Sequence, residues 1–195
     1  IPVVNVFAAL LSLRALEQIR TCVCYAKTNV KLAASYAGVS DFKDGPTHHA
    51  IEDIAVMRAL PDMTVIVPAD AAEISSWLPV IAEYDGPVYL RISRAATEAV
   101  YESEVSVQIG KGHVLREGTD ATIIAIGSMA GRSMRAAESL AQQGVQCRVI
   151  NMSSVKPIDK DLICRAAAET GVIVTAEEHT IIGGLGSAVA EVLSE

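Results

Sequence analysis

The segment DGPTHH, residues 44–49, holds an acid, a glycine-proline turn and two adjacent histidines within six positions. The turn predicts that a helix follows at once, with His48 and His49 in its first turn. The positive end of the helix dipole disfavours an imidazolium there, so a histidine kept neutral could accept a proton near pH 7. Asp44 precedes the turn and could hydrogen-bond a hydroxyl group of a substrate.

The same segment has a plainer interpretation, in which Asp44 caps a turn and the histidines are ordinary surface residues. For an isolated acid-turn-histidine stretch we favour that interpretation. A metal site is less favoured still. The pairs His48/Glu52 and His49/Asp53 have the i, i+4 spacing of helical ligands, but no convincing third ligand stands nearby.

Two further stretches could bind ligands. Arg91 and Arg94 stand at the end of the strand-like sequence GPVYLRISR, where open α/β sheets bind ligands and where arginine suits phosphate. A solvated basic strand end explains their spacing equally well. The stretch IIGGLGSAVAE lacks the third glycine of a dinucleotide-binding loop, so its glycines are better explained by a tight strand-to-helix turn.

Composition excludes several classes of protein. Of the 195 residues, 51% are hydrophobic, which is enough for a substantial core. The net charge of −7 argues against nucleic-acid binding, and no apolar run is long enough to span a bilayer. The four cysteines form no C-x-x-C pair, so buried free thiols in a reducing cytoplasm are expected. The apolar start of the chain lacks the basic region of a signal peptide.

Short apolar strands alternate with amphipathic helices along the chain. This order predicts an α/β fold made of two three-layer α/β/α pieces with mainly parallel sheets. In the first piece we predict a helix over residues 6–20, strands in NVKLAASYAG, MTVIVP and GPVYLRIS, and helices in AIEDIAVMRAL and AAEISSWLPVIAEY, the last capped by Asp70 and kinked or split at Pro79.

The alternation of strands and helices stops over residues 95–108, where we predict an interdomain linker, and it resumes after them. The second piece has predicted strands in ATIIAIG, VQCRVINM and VIVTAEE. Its predicted helices lie in GRSMRAAESLAQQG, DKDLICRAAAETG and GGLGSAVAEVLSE, and the first two end at a glycine.

Taken together, several segments in order closely resemble transketolase, in particular the C-terminal section of the two-chain bacterial type. The resemblance runs from about residue 4 to residue 195 and is carried by DGPTHHAIEDIAVMRALPDMTVIVPADAAE, GPVYLRISR, GKGHVLREGTDATIIAIGS, VINMSSVKPID and TAEEHTIIGGLGSAVAEVL. It implies an N-terminally incomplete pyrimidine-binding domain over residues 1–96, a linker over 97–108, and a C-terminally incomplete transketolase C-terminal domain over 109–195.

The family transfers a two-carbon ketol unit between sugar phosphates, with thiamine diphosphate as the electron sink. By this resemblance, Asp44 contacts substrate hydroxyls and His48 assists proton transfer at the reacting oxygens, whereas His49 is a bystander. Arg94 binds the sugar phosphate, and Phe7 packs on the aminopyrimidine ring of the cofactor. No residue of this chain is expected to bind a metal.

The resemblance also shows departures, since Leu10 and Leu13 replace aromatic residues, Tyr36 replaces a substrate-binding histidine, and Lys43 replaces an acid. A glutamate that activates the aminopyrimidine would precede residue 1. The groups that hold the diphosphate and Mg²⁺ would belong to a separate N-terminal subunit. We therefore expect a cytoplasmic homo- or hetero-oligomer with that partner, and an isolated fragment that is inactive.

Three alternatives remain open. Deoxyxylulose-phosphate synthase has a closely similar acid-glycine-x-threonine-histidine segment, and the β-subunit of a 2-oxoacid dehydrogenase belongs to the same chemistry. Pro46 and the sequence AIEDIA favour transketolase over both. The third alternative is a non-catalytic relative that serves as an assembly module, which the residues Leu10, Leu13 and Tyr36 would suit.

Overall fold

The computed structural model describes residues 1–195, and its first sheet contains four parallel strands in the order β1-β2-β4-β3. These strands are β1 (Val3–Phe7), β2 (Lys31–Ala37), β3 (Thr64–Ile66) and β4 (Val88–Ser93). The strand β3 is buried along its whole length, as the continuous apolar sequence MTVIVP predicts for a sheet covered on both faces. The predicted strands β2, β3 and β4 are confirmed.

The predicted helix over residues 6–20 is wrong at its start, because Val3–Phe7 is the strand β1. The valines of β1 are β-branched and favour a strand, and parallel pairing with β2 gives their backbone groups hydrogen-bond partners. Helical structure begins only after β1, as α1 (Leu16–Gln18) flanked by the π-helical turns Leu10–Arg14 and Ile19–Tyr25.

Two helices, α2 (Asp53–Ala59) and α3 (Ala71–Glu83), flank the first sheet. Asp70 caps α3 as predicted, because its Oδ1 accepts a hydrogen bond of 2.9 Å from the backbone N–H of Glu73. Glu73 in turn accepts from the N–H of Ala69 rather than from that of the cap residue. The helix runs unbroken through Pro79, so the predicted split does not occur.

The second sheet has the order β5-β7-β6-β9, in which only β5 is antiparallel to its neighbour. Its strands are β5 (His113–Arg116), β6 (Ala121–Ala125), β7 (Cys147–Asn151) and β9 (Ile173–Ala176), and its helices are α4 (Met129–Ala141), α5 (Lys160–Thr170) and α6 (Leu185–Ser194). The three predicted helices and the strands β6, β7 and β9 are confirmed. The glycine stop of α5 is confirmed at Gly171, whose φ of +69° suits glycine.

The two sheets are physically connected. The short strand β8 (Ser154–Lys156) comes from the second half of the chain but pairs antiparallel with β3 of the first sheet. One cluster of 27 buried hydrophobic residues includes side chains from both halves, such as Ile54 and Leu185, so the core is continuous between them. Residues 97–108 contain no helix or strand. None of the helices has the length and apolar character that crossing a membrane requires.

Candidate active site

The site lies at the carboxyl ends of three neighbouring parallel strands. Phe7 ends β1, Tyr36 stands near the end of β2, and Arg94 directly follows β4. Because β1, β2 and β4 are adjacent and parallel, these ends meet at one edge of the sheet, where open α/β sheets bind ligands. The topology therefore brings together residues that are up to 87 positions apart in the sequence.

Tyr36 has an unusual backbone conformation, with a φ of +60° at a point where the pairing of β2 with β4 shifts register. A non-glycine residue in this region costs on the order of 1–2 kcal/mol, so the surrounding packing must hold it there. Its ring lies against Phe7 with centroids 4.3 Å apart and planes tilted by 33°. The bulge thus directs an aromatic side chain onto Phe7.

His48 lies beside the same aromatic pair, with its ring centroid 5.6 Å from that of Phe7. It belongs to a turn closed by a hydrogen bond from its N–H to the carbonyl of Gly45. The helix α2 begins only at Asp53, so the prediction that His48 occupies its first turn is wrong. The Nδ1 atom lies 3.0 Å from Oγ1 of Thr47, and no protein group hydrogen-bonds Nε2.

The other two polar groups of DGPTHH have different surroundings. Asp44 is exposed and makes no hydrogen bond within the chain. His49 is half-buried, and its Nε2 lies 2.8 Å from the backbone carbonyl of Asp41, for which it acts as the donor. His49 therefore stabilises the loop, whereas the side chain of Asp44 is left free.

Arg94 is surrounded by three side chains, one from β2 and two from the loop that follows it. Its Nη1 lies 2.6 Å from Oδ1 of the buried residue Asp41. Its guanidinium lies 5.1 Å from the ring centroid of Tyr36 and 5.9 Å from that of Phe42, which are cation–π distances. Sequence analysis missed Asp41, since nothing in its spacing from Arg94 distinguishes it from other acids nearby.

A buried ion pair between Arg91 and Asp53 stabilises the segment between β2 and α2. Arg91 binds Asp53 through Nε at 2.7 Å and Nη2 at 3.1 Å, and it also donates to the carbonyls of Ala50 and Glu178. Burial acts to lower the pKa of Arg91, but the charge and hydrogen bonding of Asp53, together with smaller effects of Tyr89 and Glu178, raise that pKa overall. Burial, and then Asp53, raise the pKa of Tyr89, which donates to Asp53. Arg91 is therefore structural and is not available to a ligand.

The second half of the chain closes on the same region. The side chain of His179 is fully buried, and its Nε2 accepts hydrogen bonds from the N–H groups of Ile54 and Ala55 at the start of α2. Because Nε2 accepts, the proton of the neutral ring lies on Nδ1, which donates to the carbonyl of Thr180. This histidine thus connects the segment after β9 to the first domain.

The residues present fit only part of a large cofactor. Phe7 is half-buried and offers an apolar surface to an aromatic heterocycle. No group of three or more His, Cys, Asp or Glu side chains stands close enough to bind a metal ion. The N-terminus of α6 is already occupied, since Glu177 accepts from the N–H groups of Leu185 and Gly186, so the GGLG turn is not a phosphate loop.

Comparisons with known proteins agree with this architecture. Residues 1–99 match the pyrimidine-binding domain of transketolase, and residues 110–195 match the transketolase C-terminal domain. The chain is 45% identical over 190 residues to a putative transketolase C-terminal section of Methanocaldococcus jannaschii, covering 96% of this chain and 59% of that protein. It is 42% identical to a 6-deoxy-6-sulfo-D-fructose transketolase subunit of Clostridium sp. MSTE9, covering 100% of this chain and 61% of that subunit.

Two further matches widen the comparison. A 1-deoxy-D-xylulose-5-phosphate synthase of Desulfotalea psychrophila is 43% identical over 199 residues, which cover 100% of this chain and 30% of the synthase. A solved split-gene transketolase, described as an inactive β4 tetramer, superposes with a TM-score of 0.93 at 48% identity, covering 100% of this chain and 63% of that one. The chain thus spans about three fifths of the split-type proteins that it matches. From its two domains, its split-type relatives and its fold, the chain belongs to the transketolase family.

Proposed function

We propose that this chain is the C-terminal part of a transketolase that transfers a two-carbon ketol unit between sugar phosphates. The observation that carries the proposal is the grouping of Phe7, His48 and Arg94 at one sheet edge in a chain of this family. An apolar ring surface, an imidazole and a guanidinium are the groups needed to hold a heterocycle, move a proton and bind an anion.

Each side chain has a role that its surroundings allow. Phe7 packs on the aminopyrimidine of thiamine diphosphate, which, when bound, supplies the electron sink for breaking the bond between carbons 2 and 3 of the ketose. His48 holds or accepts a proton at the substrate oxygens through Nε2, the nitrogen without a protein partner. Asp44 is exposed and free to accept hydrogen bonds from substrate hydroxyls. Arg94 binds the terminal phosphate through the N–H groups that Asp41 leaves free.

The remaining groups come from a second subunit in this proposal. Residues 1–96 form most of the pyrimidine-binding domain, 97–108 the linker, and 109–195 most of the C-terminal domain. The diphosphate and Mg²⁺ are held mainly by an N-terminal transketolase subunit in a cytoplasmic oligomer. The support for this is that the chain matches proteins named as a C-terminal section and as a transketolase subunit.

The experiment is reconstitution of the full-length subunit with its N-terminal partner, thiamine diphosphate and Mg²⁺. D-xylulose 5-phosphate and D-ribose 5-phosphate are supplied, and the sugar products are identified by mass spectrometry. We expect seven-carbon ketose phosphate and glyceraldehyde 3-phosphate from the pair of subunits, and no turnover from the 195-residue chain alone. Turnover by that isolated chain would contradict the need for a partner.

A second candidate is deoxyxylulose-phosphate synthesis, which the 43% identity to the Desulfotalea psychrophila synthase favours. That reaction decarboxylates pyruvate and joins the two-carbon fragment to glyceraldehyde 3-phosphate. The same reconstituted pair is given pyruvate and glyceraldehyde 3-phosphate in place of the ketose donor. Release of CO₂ with formation of a five-carbon deoxyketose phosphate would replace the transketolase proposal.

A further inference from the structure

Arg94 does not present a free positive charge. Its Nη1 forms a 2.6 Å ion pair with Oδ1 of Asp41, and the side chain of Asp41 is completely buried while that of Arg94 is 28% exposed. The backbone N–H of Arg94 is also fixed, by a 3.1 Å hydrogen bond to Oγ of Ser40. The guanidinium that meets a substrate is therefore already compensated by one full negative charge.

The second oxygen of Asp41 is unused. Oδ2 is buried and has no hydrogen-bond partner in the chain. A buried carboxylate oxygen left without a donor costs on the order of 1–3 kcal/mol, so the negative charge of Asp41 is not offset by further hydrogen bonds. The carboxylate is thus balanced by Arg94 through one oxygen, and no other group of the chain donates to its second oxygen.

This arrangement distinguishes between two kinds of sugar end. A phosphate dianion that approaches Arg94 meets the Asp41 carboxylate as well, and like charges at this range repel in a partly buried site. An uncharged hydroxyl meets no such repulsion and can accept from an N–H of Arg94 that the ion pair does not use. The pair therefore weakens phosphate binding and suits an uncharged end.

We propose that Asp41 is a specificity-determining residue that lowers the site's preference for phosphorylated sugars and allows unphosphorylated ketoses to compete. The proposal rests on the proposed ketol transfer and extends its substrate class to sugars without a phosphate group.

The test compares two donors that differ only in the phosphate group on carbon 5, D-xylulose 5-phosphate and D-xylulose, with uncharged glycolaldehyde as the acceptor for both. The full-length subunit is reconstituted with its N-terminal partner, and kcat/KM is measured for each donor in the natural chain and in Asp41→Asn. We expect the ratio of kcat/KM for the phosphorylated over the unphosphorylated donor to rise about tenfold or more in Asp41→Asn, the size of one lost charge repulsion. An unchanged or lower ratio would overturn the proposal.

The control is Asp62→Asn, which removes the same charge from a carboxylate that is 55% exposed and paired only with Lys27 at 4.0 Å. This variant should leave the donor ratio unchanged. Asp41→Ser is prepared alongside, so that a folding defect in Asp41→Asn does not decide the result, and thermal unfolding is recorded for every variant.

A second readout separates this proposal from the proposed function. Binding of inorganic phosphate to the reconstituted complex is measured by calorimetry, and we expect tighter binding in Asp41→Asn than in the natural chain. If neither donor is turned over, the ketol-transfer proposal fails, while the phosphate titration still tests Asp41. Equal phosphate affinity in the two proteins would refute the role of Asp41 whatever the activity.

Discussion

Replacing Asp53 with asparagine tests the buried ion pair that supports the site loop. The side chains of Arg91 and Asp53 are 5% and 0% exposed, and three hydrogen bonds converge on the carboxylate from Arg91 and Tyr89. An amide is neutral and has only one oxygen, so it leaves the Arg91 guanidinium buried with no opposing charge. Removing one partner of such a pair costs about 3–5 kcal/mol of unfolding free energy.

The assay is denaturant unfolding of the chain followed by tryptophan fluorescence. Trp77 is the single tryptophan, and it is buried against the first sheet, so its emission reports on the domain that contains the pair. A loss of 3–5 kcal/mol corresponds to a fall in Tm of about 6–20 °C for a chain of this size. Asp62→Asn, in an exposed pair, should cost less than about 1 kcal/mol. A loss below about 1 kcal/mol in Asp53→Asn would refute the reasoning.

Three other predictions follow from single contacts. The folded-state pKa of Tyr89 is raised above 10, so the stability that this shift supplies is complete below pH 10 and is lost as Tyr89 ionises in the unfolded chain. In denaturant titrations above pH 10, the unfolding free energy of Tyr89→Phe should therefore fall less steeply with pH than that of the natural chain, by up to about 1.4 kcal/mol per pH unit. Gly38→Ala should destabilise the chain more than Gly144→Ala. Both glycines have a positive φ, but only at Gly38 would the new Cβ lie 2.5 Å from the Glu178 carboxylate. Equal losses of stability in thermal unfolding would count against that contact. In a thiol-reagent titration, the exposed cysteines Cys22 and Cys164 should be modified fast, whereas the buried cysteines Cys24 and Cys147 should be spared. Burial also raises the pKa of the Cys24 thiol, which lowers its reactivity further.

Local signals in the sequence were sufficient for most of the elements. The apolar runs at β3, β6 and β7 and the amphipathic periods of α4 and α5 identify their own structure, because burial on one or both faces dictates the pattern. The cap at Asp70 could also be predicted, since a capping acid three residues before a glutamate acts within one helical turn.

The strands that were missed depend on distant partners. The strand β8 is three residues long and exists because it pairs with β3, whose residues lie about 90 positions earlier. The strand β5 is an antiparallel edge strand with only partly buried side chains, so its sequence carries no clear apolar run. A short strand fixed by non-local pairing leaves little trace in its own residues.

The candidate site likewise combines residues that local motifs identify with residues that only the tertiary fold brings together. Phe7, His48 and Arg94 could be identified from motifs. The ring of Tyr36 contacts Phe7 because Tyr36 itself has a left-handed backbone conformation within a strand, and no sequence pattern predicts that conformation for a tyrosine. The pairing of Asp41 with Arg94 joins residues 53 positions apart and appears only once β2 and β4 lie side by side. The groups that set charge and shape at the site are therefore products of the tertiary fold.

Isotope tracing tests the proposed ketol transfer most directly. The reconstituted pair of subunits is given a ketose donor labelled with ¹³C at carbons 1 and 2, together with an unlabelled aldose acceptor, and the new ketose is examined by NMR. The proposed function predicts both labels, still bonded to each other, at carbons 1 and 2 of the product, and a strong loss of product in His48→Ala. Label confined to the donor, or full product formation without the imidazole of His48, would contradict it.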